Sequence, residues 1–235
     1  PLRRLLWLWF GAVFLLFSFS GTQLPHYLLY GCTPLFVLMA LHRDRLASRW
    51  LAFGPPLLLA VALLFLPELL RAAEPHAKRL YEQEIIALAR SLLDPAYRAG
   101  MAAAVLAMLG LALWRRLAPW QGLIGAGFVQ LVAVTGLLLP VYFAATQGPV
   151  KEAAAVARAL GEPVVAYRVR LPSFSVYREA VTTRRAPQPG DLVFTRVDRI
   201  DKLVAELPGV ASEVVYRRGG VALVRLAPAA AGKDG

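Results

Sequence analysis

Apolar residues fill the first two thirds of the chain in long runs, and the pattern breaks at Gln147-Gly148-Pro149. Crossing a bilayer takes about 20 consecutive apolar residues. Five segments approach that length, near Leu5–Phe19, Leu24–Leu41, Phe53–Leu70, Gly100–Trp114 and Trp120–Tyr142. Pro25 and the Pro55-Pro56 pair fall at or near predicted helix starts, where a missing N–H does no harm. In the fifth segment Gly122 and Ala126, with Gly125 and Gly127 beside them, allow another helix to come close. Gln130 and Thr135 are expected to hydrogen-bond between helices.

The stretch from Glu68 to Arg98 is polar and mixes both signs of charge. It contains a predicted helix near Pro75–Leu93, in which Tyr81, Ile85, Leu88 and Leu92 recur at helical spacing while Glu82, Glu84 and Arg90 lie off that stripe. Such a helix either lies in the membrane interface or packs on the domain that follows. Asp94-Pro95 stops it.

After residue 150 the period changes. Val150–Leu160 reads as a helix ended by Gly161, Val164–Val169 and Asp191–Val197 as strands, and Arg199–Leu207 as a helix ended by Pro208-Gly209. Glu213–Tyr216 and Val221–Leu226 form a hairpin across Arg217-Arg218-Gly219-Gly220. Strands alternating with helices predict a small α/β layer over 150–227. The Ala/Gly/Lys/Asp tail at 228–235 is expected to be disordered. The predicted class is therefore a multi-span α-helical membrane protein, 1–146, carrying a small C-terminal α/β domain.

Composition agrees. Of 235 residues 58% are hydrophobic and 17% charged, against about 25% charged in ordinary soluble domains. The net charge of +11 is not a nucleic-acid signature, because much of it is arginine beside the apolar runs. Arg3 and Arg4 precede the first run, Arg43, Arg45 and Arg49 lie between the second and third, and Arg115 and Arg116 between the fourth and fifth. The positive-inside bias makes these loops cytoplasmic, and the uncharged hairpin at Ser20–Gln23, the long loop and the C-terminal domain extracytoplasmic. Cys32 is the one cysteine, which excludes a disulfide framework and reads as a packing residue. The chain begins with Pro1, with Arg3-Arg4 leading directly into a span, and has no cleavable signal pattern. We expect the C-terminal part of a longer protein.

Two stretches carry candidate chemistry. The polar hairpin at 20–28 runs into a span with His26, Tyr27, Tyr30 and Pro34 at its mouth, and polar side chains set in hydrocarbon cost free energy that a plain anchor need not spend. The second is Tyr167–Arg178, with three arginines and two tyrosines in twelve residues. Ser173 is expected to cap a short helix there. Guanidinium forks suit phosphate oxygens, and tyrosine hydroxyls add neutral donors; a solvated arginine surface is the plainer reading. His26, His42 and His76 do not fall at metal-ligand spacing. No glycine-rich loop joins a strand to a helix, so nucleotide sugars and nucleoside triphosphates are not expected donors.

The segment Ser20-Gly21-Thr22-Gln23-Leu24-Pro25-His26-Tyr27, followed by a span with Pro34, resembles the Lys-Leu-Pro-x-Tyr segment of bacterial C-type glycosyltransferases, the relatives of aminoarabinose transferase and protein O-mannosyltransferase. Leu171-Pro172-Ser173-Phe174-Ser175-Val176-Tyr177 is similar to the Leu-Pro-Ser…Tyr segment that opens their C-terminal extracytoplasmic domain. The resemblance covers the chain as the C-terminal portion of such an enzyme. It implies transfer of a sugar from a polyprenyl-phosphate carrier to a lipid or protein acceptor at the outer face of the cytoplasmic membrane, with no cofactor and membrane lipids as partners. By this resemblance Gln23, His26, Tyr27, Arg170, Tyr177 and Arg178 bind the carrier phosphate or substrate. The family's catalytic carboxylate belongs to an upstream loop, so no residue of this chain is expected to be the base. The family's lysine is Gln23 here, a neutral donor. Two other readings compete: a non-catalytic membrane protein whose outer domain binds an envelope partner, and a transporter segment with Pro34 in a broken helix.

Overall fold

A computed structural model describes residues 1–19, 29–46 and 48–227. The chain is mostly helical with one small sheet, and it divides into two units, Pro1–Leu58 with Ala107–Val129 and Leu59–Leu106 with Gln130–Gly235.

The first unit is built from α1 (Leu2–Ser18), α2 (Leu29–Leu41), the start of α3 (Arg49–Leu64), the end of α6 (Pro95–Leu113) and most of α7 (Pro119–Ala133). Close approach holds these helices together. A Cβ on Gly31 would sit 3.1 Å from Val13, and one on Gly122 only 2.3 Å from the Phe53 ring. Gly122 thus admits a neighbouring helix, as its spacing predicted. Thr135 does not bond between helices; its hydroxyl donates to Leu131 O of its own helix at 2.8 Å. Gln130 has its side-chain amide buried with no partner among the described residues.

Helix α3 begins earlier than the apolar run implied, because Ser48 Oγ accepts the Leu51 N–H at 3.3 Å and caps it. Pro55 and Pro56 consequently lie inside the helix, not at its start. The predicted span Phe53–Leu70 is broken at Phe65, and α4 (Leu66–Ala73) leaves at an angle of 65°. Pro67 is the cause. It lacks the N–H that would bond the carbonyl of Leu63 four residues back, and the Tyr97 hydroxyl donates to that carbonyl instead, at 2.9 Å.

Among the described residues two helices are long and apolar enough to cross a membrane, Pro95–Leu113 and Pro119–Thr146, and the bent pair α3–α4 makes a third if it is one span. The second of these is continuous from α7 through a π-helical stretch, Val134–Leu138, into α8 (Leu139–Thr146).

The second unit centres on a four-stranded sheet in the order β1-β2-β4-β3. β1 (Val164–Ala166) is parallel to β2 (Leu192–Arg196), while β4 (Val221–Leu226) runs antiparallel to β2 and to β3 (Ser212–Arg218). Successive strand residues face opposite sides. Leu192, Phe194, Val221 and Leu223 lie under α9 (Gly148–Leu160) and α10 (Pro172–Arg178), where Phe194 stacks on Phe174 with centroids 3.9 Å apart. Val193, Ala222 and Val224 pack on the other side with Leu203 of α11 (Ile200–Glu206). The α/β layer expected from the sequence is therefore a sheet between two helical layers. α10 opens with Pro172 as its first residue and has no side-chain cap; Ser173 does not take that role.

The helix predicted near Pro75–Leu93 is α5 (Leu80–Leu92), and it packs on the sheet. The β3–β4 turn is Gly219-Gly220, with φ of 54° and 84°, the two positive values that a tight hairpin of this kind requires. A Cβ at Gly219 would meet Leu88 at 2.8 Å, and one at Gly220 would meet the Tyr81 ring at 2.5 Å. Glu84 seals the contact by accepting from Arg217, at 2.9 and 2.6 Å, and from Gly220 N–H at 3.0 Å.

Candidate functional site

At the end of β1 the chain makes a strongly basic hollow in the second unit. Tyr167 N–H continues the pairing to Phe194 O at 3.0 Å, and Thr195 Oγ1 donates to Tyr167 O at 3.0 Å. Arg168 then takes a left-handed conformation, φ 51°, which ends the strand three residues before the sequence implied. The alternation persists beyond it: Tyr167 and Val169 are buried, Arg168 and Arg170 exposed. Both guanidiniums therefore stand on the open side.

The other edge of β1 brings in a third arginine. Ala166 N–H donates to Thr183 O at 2.8 Å and Thr183 N–H to Val164 O at 3.1 Å, a single parallel bridge that sets Arg184 beside the strand end. A fourth, Arg196, comes from the last residue of β2. The result is an open pocket of about 610 Å³ lined by Tyr81, Ala166, Arg168, Val169, Arg170, Leu171, Arg184 and Arg196.

These arginines are not equivalent. Arg168 pairs with Glu206 at 2.8 Å. Arg196 forks onto Asp198 at 2.8 and 2.6 Å and lies 4.2 Å over the Tyr81 ring. The hydrogen bonds to Asp198 push Arg196 above its ordinary value. Burial alone would raise the Asp198 carboxyl, but the Arg196 guanidinium outweighs it and holds the carboxyl below the usual range. Arg170 and Arg184 face no carboxylate among the described residues. A pocket with two fixed cations and two unpaired ones, and no acid in its lining, suits an anionic ligand with several oxygens.

The expected site residues separate. Gln23, His26 and Tyr27 lie outside the described residues. Arg170 lines the pocket. Tyr177 packs against the core beneath α9. Arg178 is 9% exposed and turned inward, donating to Glu162 O at 2.8 Å and Val181 O at 3.2 Å; burial lowers its pKa. It ties α10 to the start of β1 and does not reach the pocket. Arg184, Arg196 and Tyr81 were not foreseen, since they come from segments far apart in sequence. Among the described residues, no three His, Cys, Asp or Glu side chains come together in a way that would hold a metal.

No family model matches the chain, and no curated protein matches it. Two solved structures share its fold, both of the aminoarabinose transferase ArnT from Cupriavidus metallidurans. The apo state superposes with a TM-score of 0.54, and the state bound to undecaprenyl phosphate with 0.59. Each is 16% identical, and each match covers 94% of this chain and 45% of the solved one. The chain thus spans less than half the length of the structures it resembles. The likeness is one of fold, and it falls in the family to which the Ser20–Tyr27 and Leu171–Tyr177 motifs pointed.

Proposed function

We propose that this chain is the C-terminal portion of a membrane glycosyltransferase, one that takes a sugar from a polyprenyl-phosphate carrier and passes it to a lipid or protein acceptor. Transfer takes place at the outer face of the cytoplasmic membrane. The observation that carries this reading is the pair of unpaired guanidiniums, Arg170 and Arg184, in one pocket of a chain whose fold is that of a protein solved with undecaprenyl phosphate.

The chemistry is electrostatic. As a glycosidic bond to phosphate breaks, negative charge grows on the departing oxygens, and donors already in position lower the barrier without reorganising. Arg170 and Arg184 supply the compensating positive charge in this reading, while Arg168 and Arg196 are steadied by their carboxylates and shape the walls. Gln23, His26 and Tyr27 remain assigned to the carrier phosphate as neutral or protonatable donors. No general base is assigned within the chain.

The arrangement of the loops supports the orientation. Arg49 donates to Ala112 O, Trp114 O, Arg115 O and Leu117 O at 3.1, 3.2, 3.2 and 2.5 Å. It draws the loop after α2 and the loop after α6, both rich in arginine, to one end of the first unit. Cytoplasmic placement of that end makes the residues after Thr146 extracytoplasmic.

The test is product formation by the complete protein with a panel of lipid-linked sugars. Arg170→Glu and Arg184→Glu should each lower turnover at least tenfold, and Tyr27→Phe severalfold, with expression unchanged. Wild-type-like turnover in both arginine variants would remove the pocket from the reaction, and no transfer from any polyprenyl-linked sugar would sink the reading itself.

A further inference from the structure

The first unit contains a second hollow, of different character. Between α3 and α6 a groove of about 480 Å³ is walled by Trp50, Phe53, Leu57, Leu109 and Leu113, and only Arg49 and Arg115 bring charge to it. A volume of this order lies within the ~300–1,000 Å³ of pockets that lodge small ligands. Gly54 keeps it open, since a Cβ there would have nothing within 4 Å.

The end of the groove has the makings of a membrane interface. Trp50 is 85% exposed and Trp114 56%, and tryptophan collects where hydrocarbon meets headgroups. The Arg43 guanidinium lies 5.5 Å over the Trp120 ring. Asp44 is the only acid in the sequence of this unit, and it pairs loosely with Arg43 at 3.8 Å. Arg49 is committed to backbone carbonyls. Arg115, at the mouth, therefore has no carboxylate partner among the described residues. An apolar slot that ends at an uncompensated guanidinium matches a lipid that lays one acyl chain in the slot and brings an anionic phosphate headgroup to its mouth.

We propose that the α3–α6 groove binds an anionic glycerophospholipid, an acyl chain lying along Phe53, Leu57 and Leu109 and the phosphate meeting Arg115. The inference rests on α6 crossing a membrane. It does not rest on sugar transfer, so its test does not read turnover.

The complete protein, purified in neutral detergent, is titrated with phosphatidylglycerol, phosphatidylcholine or undecaprenyl phosphate in mixed micelles. Native mass spectrometry and thermal unfolding follow binding. Phosphatidylglycerol should remain as a one-to-one adduct and raise the melting temperature, and phosphatidylcholine should do neither. Arg115→Glu should weaken the adduct at least tenfold, and Leu109→Trp, which fills the groove, should do the same. Arg116→Glu makes the same charge change outside the groove lining and should bind as wild type; Arg115→Lys should retain most of the affinity. Equal retention of phosphatidylglycerol and phosphatidylcholine overturns the proposal, as does equal loss in Arg115→Glu and Arg116→Glu. A preference for undecaprenyl phosphate that is lost in Arg115→Glu also overturns it, assigning the groove to the carrier.

Discussion

In the first unit Asp44 stands alone among Arg3, Arg4, Arg43, Arg45, Arg49, Arg115 and Arg116, whereas the rest of the chain's 15 acidic residues belong to the second. There arginines find carboxylates: Arg196, Arg217, Arg218 and Arg225 face Asp198, Glu84, Glu152 and Glu162 at 2.6, 2.6, 2.5 and 2.8 Å. The second unit pairs many of its arginines internally and uses the pairs to fix helices on a sheet. The first coheres through glycines and rings, and its cations answer to backbone carbonyls or to the surroundings. Against that background two arginines without a carboxylate partner in one pocket mark a ligand site more strongly than the arginines near Trp50 mark one by charge alone.

Several substitutions bear on this contrast. Gly122→Leu should be the most damaging, because its side chain would occupy the space of the Phe53 ring. Overpacking of this kind costs about 3 kcal/mol, seen as a lower melting temperature in detergent that added salt does not alter. An unchanged melting temperature would mean that helix contact does not hold the first unit together. Glu84→Ala should come next, at about 2 kcal/mol, since it strands Arg217 and the Gly220 N–H together. Hydrogen exchange should quicken in α5 and the β3–β4 hairpin and nowhere in the first unit.

Asp198→Asn should cost about 1 kcal/mol near neutral pH, the value being held down by partial solvent screening. Its sign with pH follows from the depressed carboxyl. The folded protein takes up this proton at lower pH than the unfolded chain, so the Asp198 contribution is complete above the ordinary carboxylate range and lost as pH falls through the depressed value. The gap in melting temperature between wild type and variant should therefore be widest near pH 7 and close on acidification. A gap that widened in acid would contradict the pairing with Arg196. Smallest of all, Asp44→Asn should leave stability unchanged within error, because the Arg43 pair is long and its side chains are 56% and 83% exposed.

Much of the second unit could be read directly. Gly161 and Gly209 end their helices or the turns after them with φ of 68° and 82°, and Gly219-Gly220 turns the hairpin. Each of these is a local signal with a local cause. The bend at Phe65 was not read, although Pro67 was in view, because an apolar run continues across it and hydropathy is blind to one missing N–H. The pocket was half legible. The arginine-rich stretch Tyr167–Arg178 pointed to Arg168 and Arg170, but Arg184 arrives through a single bridge to β1 and Tyr81 from a helix docked on the hairpin. Arg178 was expected to meet the carrier phosphate because nothing local announces that two carbonyls, of Glu162 and Val181, take its donors.

The π-helical stretch Val134–Leu138 has an effect on everything after it. One additional residue wound into a helix advances the angular phase of the following turns by about 100°. The stripe that carries Gly122 and Ala126 in α7 therefore cannot be extrapolated by simple heptad counting to predict which residues of α8 are inward. Deleting one residue within 134–138 would let the stretch rewind as α-helix and remove that offset, so that Tyr142 and Phe143 fall where plain α-helical counting from α7 puts them, while the composition of the helix is almost untouched.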